Sequence, residues 1–126
     1  MAWAPLRAGD MRTRVRIEAA SRVSNGQGGF DTVWAPVATT PIVSAQKVPL
    51  RGDEITRDSI VRSVSVARFV IRHRGDISTG LRLFEVRNVG GTYEDIGGPW
   101  NIKRADDPFG RRDRLELDCE WISGLS

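Results

Sequence analysis

The chain has 126 residues, of which 40% are hydrophobic and 28% charged, and its formal net charge is +3. This length suits one domain with a single core, and the composition excludes a disordered or fibrous chain. So small a basic excess does not demand a nucleic-acid partner, and no apolar run is long enough for a membrane-spanning helix. One cysteine, Cys119, excludes an internal disulfide and favours synthesis in a reducing cytoplasm.

The N-terminal third predicts an arm followed by two strands. Residues 1–10 show no periodicity and are predicted to form a mobile or partner-docked arm. Thr13–Ala19 alternates apolar with charged residues, which is typical of a half-buried strand. Ser24–Gly29 contains an Asn-Gly turn, and a second strand is predicted over Phe30–Ala38. The aromatic residues of that strand share one face, which we assign to the core, and Pro36 indicates a sheet edge or a bulge.

The middle of the chain predicts a third strand, a short helix and a central strand. The third strand is Ile42–Lys47, after which Pro49–Gly52 breaks the pattern. Asp53 is a good N-cap, so Asp53–Arg62 is predicted as the short helix. Ser63–His73 carries apolar residues on both faces, which indicates a strand covered on both sides.

Three further strands are predicted at Leu81–Val89, Trp100–Ala105 and Arg114–Ile122, with a Pro/Gly turn at Asp106–Asp113. In the last strand, leucine, cysteine and tryptophan alternate with acidic residues. Six or seven short strands and one helix predict a mainly β fold, a small antiparallel β-barrel or a sandwich. The domain is expected to span residues 11–122, with 123–126 as a C-terminal tail.

No pattern of reactive side chains indicates an enzyme. His73 is the single histidine and ends a strand, while Cys119 lies on the apolar face of the last strand, so neither a hydrolytic triad nor a zinc site is easily built. Asp53, Glu54 and Asp58 could ligate a hard cation, but a helix cap with a solvated face explains them better. We expect no catalytic residue, no metal and no cofactor.

Two basic features could contact a partner. Arg12, Arg14 and Arg16 form a stripe on the first strand, which is typical of a solvated face. The turn near the C-terminus mixes arginines with aspartates, which favours a protein interface or internal ion pairs over binding of phosphates. Its candidate interface residues are Asp106, Asp107, Arg111, Arg112 and Arg114.

Several segments, taken in order, resemble one protein family. They are Met11–Ile17, Gly28–Phe30 with Val33-Trp34 and Val37–Thr39, Val43–Ala45, Pro49–Glu54, Ser65–Arg74, Gly98–Lys103, and Asp107-Pro108 with Gly110–Arg112 and Leu115–Leu117. Together they resemble the head–tail joining, or head-closure (stopper), proteins of long-tailed phages and gene transfer agents. Arg87–Gly97 departs from that pattern as an insertion, and Trp100 stands where the family usually has tyrosine.

The resemblance implies a structural protein of the virion neck, at the head–tail junction. Such proteins form a ring, expected to be hexameric, between the portal or adaptor ring and the tail terminator or tail-tube proteins. The ring helps to retain packaged double-stranded DNA, which passes through it without sequence-specific binding, and no membrane is involved. A long channel-facing loop would act as the gate, at Gln46, Lys47, Val48, Pro49, Leu50, Arg51, Gly52, Asp53, Glu54 and Asp58.

Two alternatives stay open at this point. The first is a sibling neck role, as an adaptor or a tail-completion ring. The second is a barrel that binds nucleic acid directly, for which exposed aromatic residues beside basic ones would be the signature.

Overall fold

The computed structural model describes residues 6–50, 53–57 and 60–123, and the side chains of 6–50 and 64–121. The mainly β prediction is confirmed, because the described chain forms eight strands with antiparallel pairing throughout. The strands are β1 Thr13–Ser24, β2 Phe30–Pro36, β3 Ile42–Pro49, β4 Asp53–Arg57, β5 Ile60–Arg72, β6 Arg82–Val89, β7 Thr92–Asp106 and β8 Arg114–Ser123.

The predicted helix at Asp53–Arg62 is wrong. Asp53–Arg57 is strand β4, and it pairs with the first residues of β5, Asp53 opposite Val64 and Arg57 opposite Ile60. The β-branched residues of this segment suit an extended backbone, and the long β5 strand offers an edge on which β4 pairs. The helical structure of the described chain is one short 3₁₀ turn at Ala8–Asp10.

The ladders connect six strands into a closed path. β1 pairs with β3 through Thr13–Arg16 and with β6 through Arg14–Glu18. β3 continues to β5, β5 to β8, β8 to β7 and β7 to β6, so the path returns to β1. Within the described residues β2 pairs with β1 alone and β4 with β5 alone. β2 therefore lies at an edge, which is one of the two situations that Pro36 predicted.

The core lies among these six strands. Phe69 of β5 is fully buried and contacts the Trp100 ring edge-on at 5.4 Å between centroids, and Trp121 packs on the other side of Trp100 at 5.5 Å. β5 also buries Val70 on its opposite face, where Arg72 is exposed, so the second face that was predicted to be covered is covered only in part. Cys119 is fully buried, as its place in the last strand predicted.

Beyond the closed path the chain extends as hairpins. The far half of β1 pairs with β2 alone, from Ala19 opposite Ala35 to Ser24 opposite Phe30. Seven large apolar side chains of the described chain are exposed, and all lie on this hairpin, on the β6–β7 hairpin or where β3 leads into β4: Val23, Phe30, Val33, Val48, Leu50, Val89 and Ile96. The assignment of the aromatic face of β2 to the core is thus wrong, since Phe30 is 59% exposed.

The antiparallel order assigns the turns between oppositely directed strands to one of two ends of the sheet, whereas residues 37–41 connect β2 to β3 beside the middle of β1. β1, β5 and β7 finish at one end, which we call the Asn25 end after the first hairpin turn. Residues 73–81 and the turn 107–113 lie there as well. β3, β6 and β8 finish at the other end, which we call the Gly90 end after the β6–β7 turn. The β4–β5 hairpin also points toward the Gly90 end.

Candidate functional site: interaction surfaces at the two ends of the sheet

The predicted gate segment is built differently from the expected loop. Gln46–Pro49 belongs to β3 and pairs with β5, and β4 continues along the same edge of β5. Leu50 donates its backbone N–H to the carbonyl of Val66 at 3.0 Å, which keeps the connection close to β5. Arg51, Gly52 and Asp58 lie outside the described residues, and Asp53 and Glu54 are described by their backbone alone. The described part of the segment is therefore strand that runs to the Gly90 end.

A charged contact lies at the base of this hairpin. Lys47 Nζ is 3.0 Å from Glu85 Oε1, and the indole N–H of Trp100 donates to the same oxygen at 3.0 Å. The Lys47 ammonium also lies 5.2 Å from the centre of the Trp100 ring. Beside them is a cleft of about 330 Å³ that Leu50 and Trp121 help to line. The contact ties β3, β6 and β7 together where the hairpin begins.

Glu85 was missed by the sequence analysis, although the sequence carried a signal for it. In β6 it follows Leu83 at the spacing of one sheet face, and Lys47 stands in the same relation to Ala45 of β3. A charged residue in register with buried apolar ones is costly unless it finds a partner. Two such residues of opposite charge are therefore candidates to pair, although they lie 38 residues apart in the sequence.

The candidate interface turn lies at the Asn25 end, opposite the gate segment. Asp107 organises it, because its carbonyl accepts from the Gly110 N–H at 3.2 Å and its Oδ2 accepts from the Arg112 N–H at 3.0 Å. Gly110 and Arg112 both adopt positive φ, at 64° and 55°. The tight turn presents the side chains of Arg111 and Arg112 at the surface, where both are exposed.

The remaining charges of the turn form ion pairs within the chain. Arg114 Nη2 is 2.9 Å from Asp113 Oδ2, and the Arg114 guanidinium lies over the Phe109 ring at 5.5 Å. Arg104 Nη2 contacts Asp106 Oδ2 at 3.3 Å. Arginine and aspartate alternate along this surface, so it has no single sign of charge for a nucleic-acid backbone to follow.

The arginine stripe of β1 is more than a solvated face. Glu18, buried at 7% exposure, accepts from Arg16 at 3.2 Å and from Arg82 at 2.9 Å. Arg16 also contacts Asp95 at 2.7 Å, and this hydrogen bond is the main cause that raises the pKa of Arg16. Arg82 lies over the Trp34 ring at 4.3 Å. The Glu18 network therefore joins β1, β2, β6 and β7 on the outside of the sheet, whereas Arg12 and Arg14 are exposed.

The groups that could carry chemistry are separated from one another. Burial raises the pKa of the Cys119 thiol to about 12, with a further contribution from Asp118, so the thiol stays protonated. His73 is half-buried at the end of β5. Among the described residues no three His, Cys, Asp or Glu side chains come together as metal ligands would. No helix in the described part of the chain is long and apolar enough to cross a membrane.

Comparisons with known proteins identify a structural neighbour and a family for this chain. The comparison with curated proteins gives no match. Among solved structures, a chain of the "Virion of native gene transfer agent (GTA) particle" superposes with a TM-score of 0.58 at 15% identity, over 88% of this chain and 96% of that one. At this identity the likeness concerns the fold alone. Residues 6–121 match the family described as "Phage head completion protein". The resemblance drawn from the sequence is confirmed: the chain belongs to the phage head completion protein family, with a structural role at the head or neck of the particle.

Proposed function

We propose that the chain forms a ring at the particle neck, between the portal or adaptor ring and the tail, where it helps to retain packaged DNA and docks the tail. The observation that carries this proposal is the opposition of the two candidate segments. The β4–β5 hairpin points to the Gly90 end, and the turn 107–113 lies at the Asn25 end. A ring that joins two different assemblies needs two distinct axial surfaces on each subunit, together with side-to-side contacts that close.

We further infer that the sheet curls into a small barrel. The closed ladder path supports this, because each of its six strands has a neighbour on both edges. A closed sheet leaves few free edges for uncontrolled association, and this suits a subunit that must contact copies of itself in one geometry. The free edges that remain in the described chain include those of β2 and β4, on the hairpins.

The proposed gate is the β4–β5 hairpin with the end of β3. Its base is anchored by Lys47, Glu85 and Trp100, while its distal part extends past the last β5–β8 pair, Ser63 with Ser123. A hairpin that is held at its base and extends beyond the closed path can project into a channel without disturbing the core. The passing DNA is a polyanion, and pairing Lys47 with Glu85 lowers the local positive charge that would make it adhere.

Shortening the hairpin tests the gate. Asp53 is opposite Val64, so replacing residues 54–63 by Asn-Gly retains this pair and closes it with a two-residue turn. We expect the shortened protein to fold and to enter particles, but these particles should leak DNA or lack tails. DNA retention is measured by nuclease sensitivity of the packaged genome, and tail attachment by electron microscopy.

A second hairpin at the same end supplies the control. Deleting 88–89 and 92–93 keeps Gly90-Gly91 as a two-residue turn between Arg87 and Glu94. If the β4–β5 hairpin forms the gate, this variant should retain DNA and take tails. Loss of either function in this variant would mean that shortening any hairpin at the Gly90 end is sufficient to cause the defect. Normal retention and tailing in the 54–63 variant would eliminate the proposed gate. Counting subunits in images of the particle neck tests the expected hexamer.

Direct nucleic-acid binding is a second candidate, favoured by one contact. Phe30 is exposed beside Arg22, whose guanidinium lies 4.6 Å from the ring centre. Stacked aromatic and basic side chains are a platform for single strands. Against it, Glu18 and Asp95 neutralise the neighbouring Arg16. The candidate requires an affinity for short DNA that falls steeply as salt rises, and no binding at moderate salt would dismiss it.

A further inference from the structure

The sheet opens between β3 and β5 at the Asn25 end. The two strands pair from Gln46 opposite Val70 to Pro49 opposite Ala67. Continuing this register would place Ala45 opposite Ile71 and Ser44 opposite Arg72. Within the described residues no pair joins positions 42–45 to β5, although the opposite edge of this half of β3 pairs with β1. Both strands therefore present an edge to the space between them.

That space is a cleft with an apolar floor. Its volume is about 690 Å³, and its walls come from β1, β3, β5 and the loops that follow β2 and β5. Ile71, almost fully buried, and the half-buried Val43 point to the core side of their strands and form part of the floor. Strand edges beside an apolar floor are what an added β-strand needs, since the edges supply backbone hydrogen bonds and the floor accepts alternate side chains.

The rim of the cleft is basic. Arg14 of β1 and Arg72 of β5 are exposed, line the cleft and occupy outward-facing positions of their strands. Of the ionised side chains lining it, three are arginines (Arg14, Arg72 and Arg74) and one is an aspartate (Asp76). A strand lying in the cleft would have its outward side chains beside Arg72 of β5 and one strand away from Arg14, which lies opposite Ser44 of β3, so carboxylates would be favoured there.

One end of the cleft is fixed by Arg74. Its Nη1 donates to the carbonyl of Thr40 at 2.7 Å, its Nη2 donates to the carbonyl of Thr39, and its Nε contacts Asp76 at 2.6 Å. Thr40 has a positive φ of 41°, an unfavourable conformation for a β-branched residue. Arg74 thus joins the loop after β2 to the loop after β5. This pre-forms the cleft and reduces the ordering that a ligand would have to provide.

We propose that this cleft binds an extended segment of another protein, one that alternates apolar with acidic residues and adds as a strand between β3 and β5. Its apolar side chains would face Val43 and Ile71, and its carboxylates would face Arg14 and Arg72. The proposal adds a partner site to the neck function without depending on the gate or on ring closure, so failure of either would leave it standing.

The test uses the full chain and a defined peptide. The probe is a seven-residue peptide that alternates glutamate with valine, and its controls replace glutamate by lysine or the central valine by proline. Binding is followed by the backbone amide shifts of ¹⁵N-labelled protein and by fluorescence anisotropy. We expect shifts centred on Ile42–Ala45 and Ile71–His73, and at least about tenfold weaker binding of both control peptides.

Charge reversal provides a second, independent readout. Arg72→Glu and Arg14→Glu each alter an exposed residue, so both variants should fold. Each substitution should weaken binding of the acidic peptide about tenfold or more and should strengthen binding of the lysine peptide. Lys103→Glu reverses an exposed charge of β7 outside the cleft and should change neither affinity. Three results would overturn the proposal: no shifts in the cleft, equal binding of the two charged peptides, or cleft shifts that appear with rising protein concentration alone, which would assign the cleft to a second copy of this chain.

Discussion

The six strands of the closed ladder path and the hairpins that extend from it differ in where their apolar residues lie. Phe69, Leu83 and Leu117 are fully buried between the six strands. Val23 and Val33 of the β1–β2 hairpin, in contrast, are 48% and 44% exposed. Burial of apolar area stabilises a fold, whereas apolar area left exposed on free-edged hairpins is typical of contact surfaces. Stability and assembly are thus assigned to different parts of one small chain.

The largest effect on stability is expected at the aromatic centre of the six strands. Phe69→Ala removes a fully buried ring that contacts Trp100 edge-on, and the cavity should lower the free energy of unfolding by about 3–5 kcal/mol. Urea unfolding followed by tryptophan fluorescence measures the change. Phe30→Ala is the matched control on a hairpin, where the same truncation should cost about 1 kcal/mol or less. Equal losses of unfolding free energy in the two variants would contradict the assignment of stability to the six strands and of assembly to the hairpins.

A smaller effect is expected where the two regions meet. Glu18 lies at the start of the β1–β2 hairpin and accepts from both Arg16 and Arg82. Glu18→Gln keeps the shape but removes the charge, and should cost about 1–2 kcal/mol in urea unfolding because two charge-assisted hydrogen bonds weaken. Asp95→Asn changes a carboxylate that is 45% exposed and should cost clearly less. A loss as large as that of Phe69→Ala would place Glu18 in the core rather than at its border.

The sequence predicted the six-strand part better than the hairpins, for a physical reason. Alternation in β8 identified its buried face, because one face of this strand packs on the core, with Leu115, Leu117 and Cys119, and the other face carries acidic residues. In β2 the same alternation separated two faces, but neither face is buried, since the strand continues past the closed path. Strand β4 pairs with β5, and the β-branched residues at 55 and 56 agree with that conformation, but the N-cap signal of Asp53 was given more weight.

The candidate surfaces were predicted unevenly for related reasons. The turn 107–113 carries Pro108 and Gly110, and such turn chemistry is local, so its place between two strands could be predicted. The opposition of this turn to the gate segment depends on strand order, which the sequence alone did not determine. Likewise, the cleft between β3 and β5 lies where their ladder stops at Gln46 and Val70, and nothing in Ile42–Pro49 marks that point.

A weak pH dependence is expected from the loop that Arg74 fixes. Its hydrogen bonds lower the pKa of Asp76 below the ordinary value of 3.8. A lowered carboxylate pKa stabilises the fold above the ordinary value, and this contribution disappears as the pH falls through the lowered one. Because the Asp76 carboxylate is 44% exposed, the effect should stay within about 0.5 kcal/mol. Asp76→Asn should therefore be slightly less stable than the wild type at pH 7, with the gap closing in urea titrations below about pH 4. A difference in stability between the two proteins that widens in acid would contradict a lowered pKa of Asp76.

The smallest change in stability is expected at the position that should matter for assembly. Val33 is 44% exposed on a hairpin face that continues the core side of β1 beyond the closed path, so Val33→Asp should alter the free energy of unfolding by about 0.5 kcal/mol or less. The same change introduces a charge into an apolar contact, and particles assembled with it should contain less of this protein, as measured by immunoblotting of purified particles. Val89→Asp makes the same substitution at the Gly90 end, where Val89 is 49% exposed. If both variants were unstable, the hairpins would contribute to the stability of the fold. If Val33→Asp were stable and were incorporated normally into particles, the β1–β2 hairpin would have no role in assembly. A stable variant with impaired incorporation would separate the two roles within one substitution, which no truncation of the core can do.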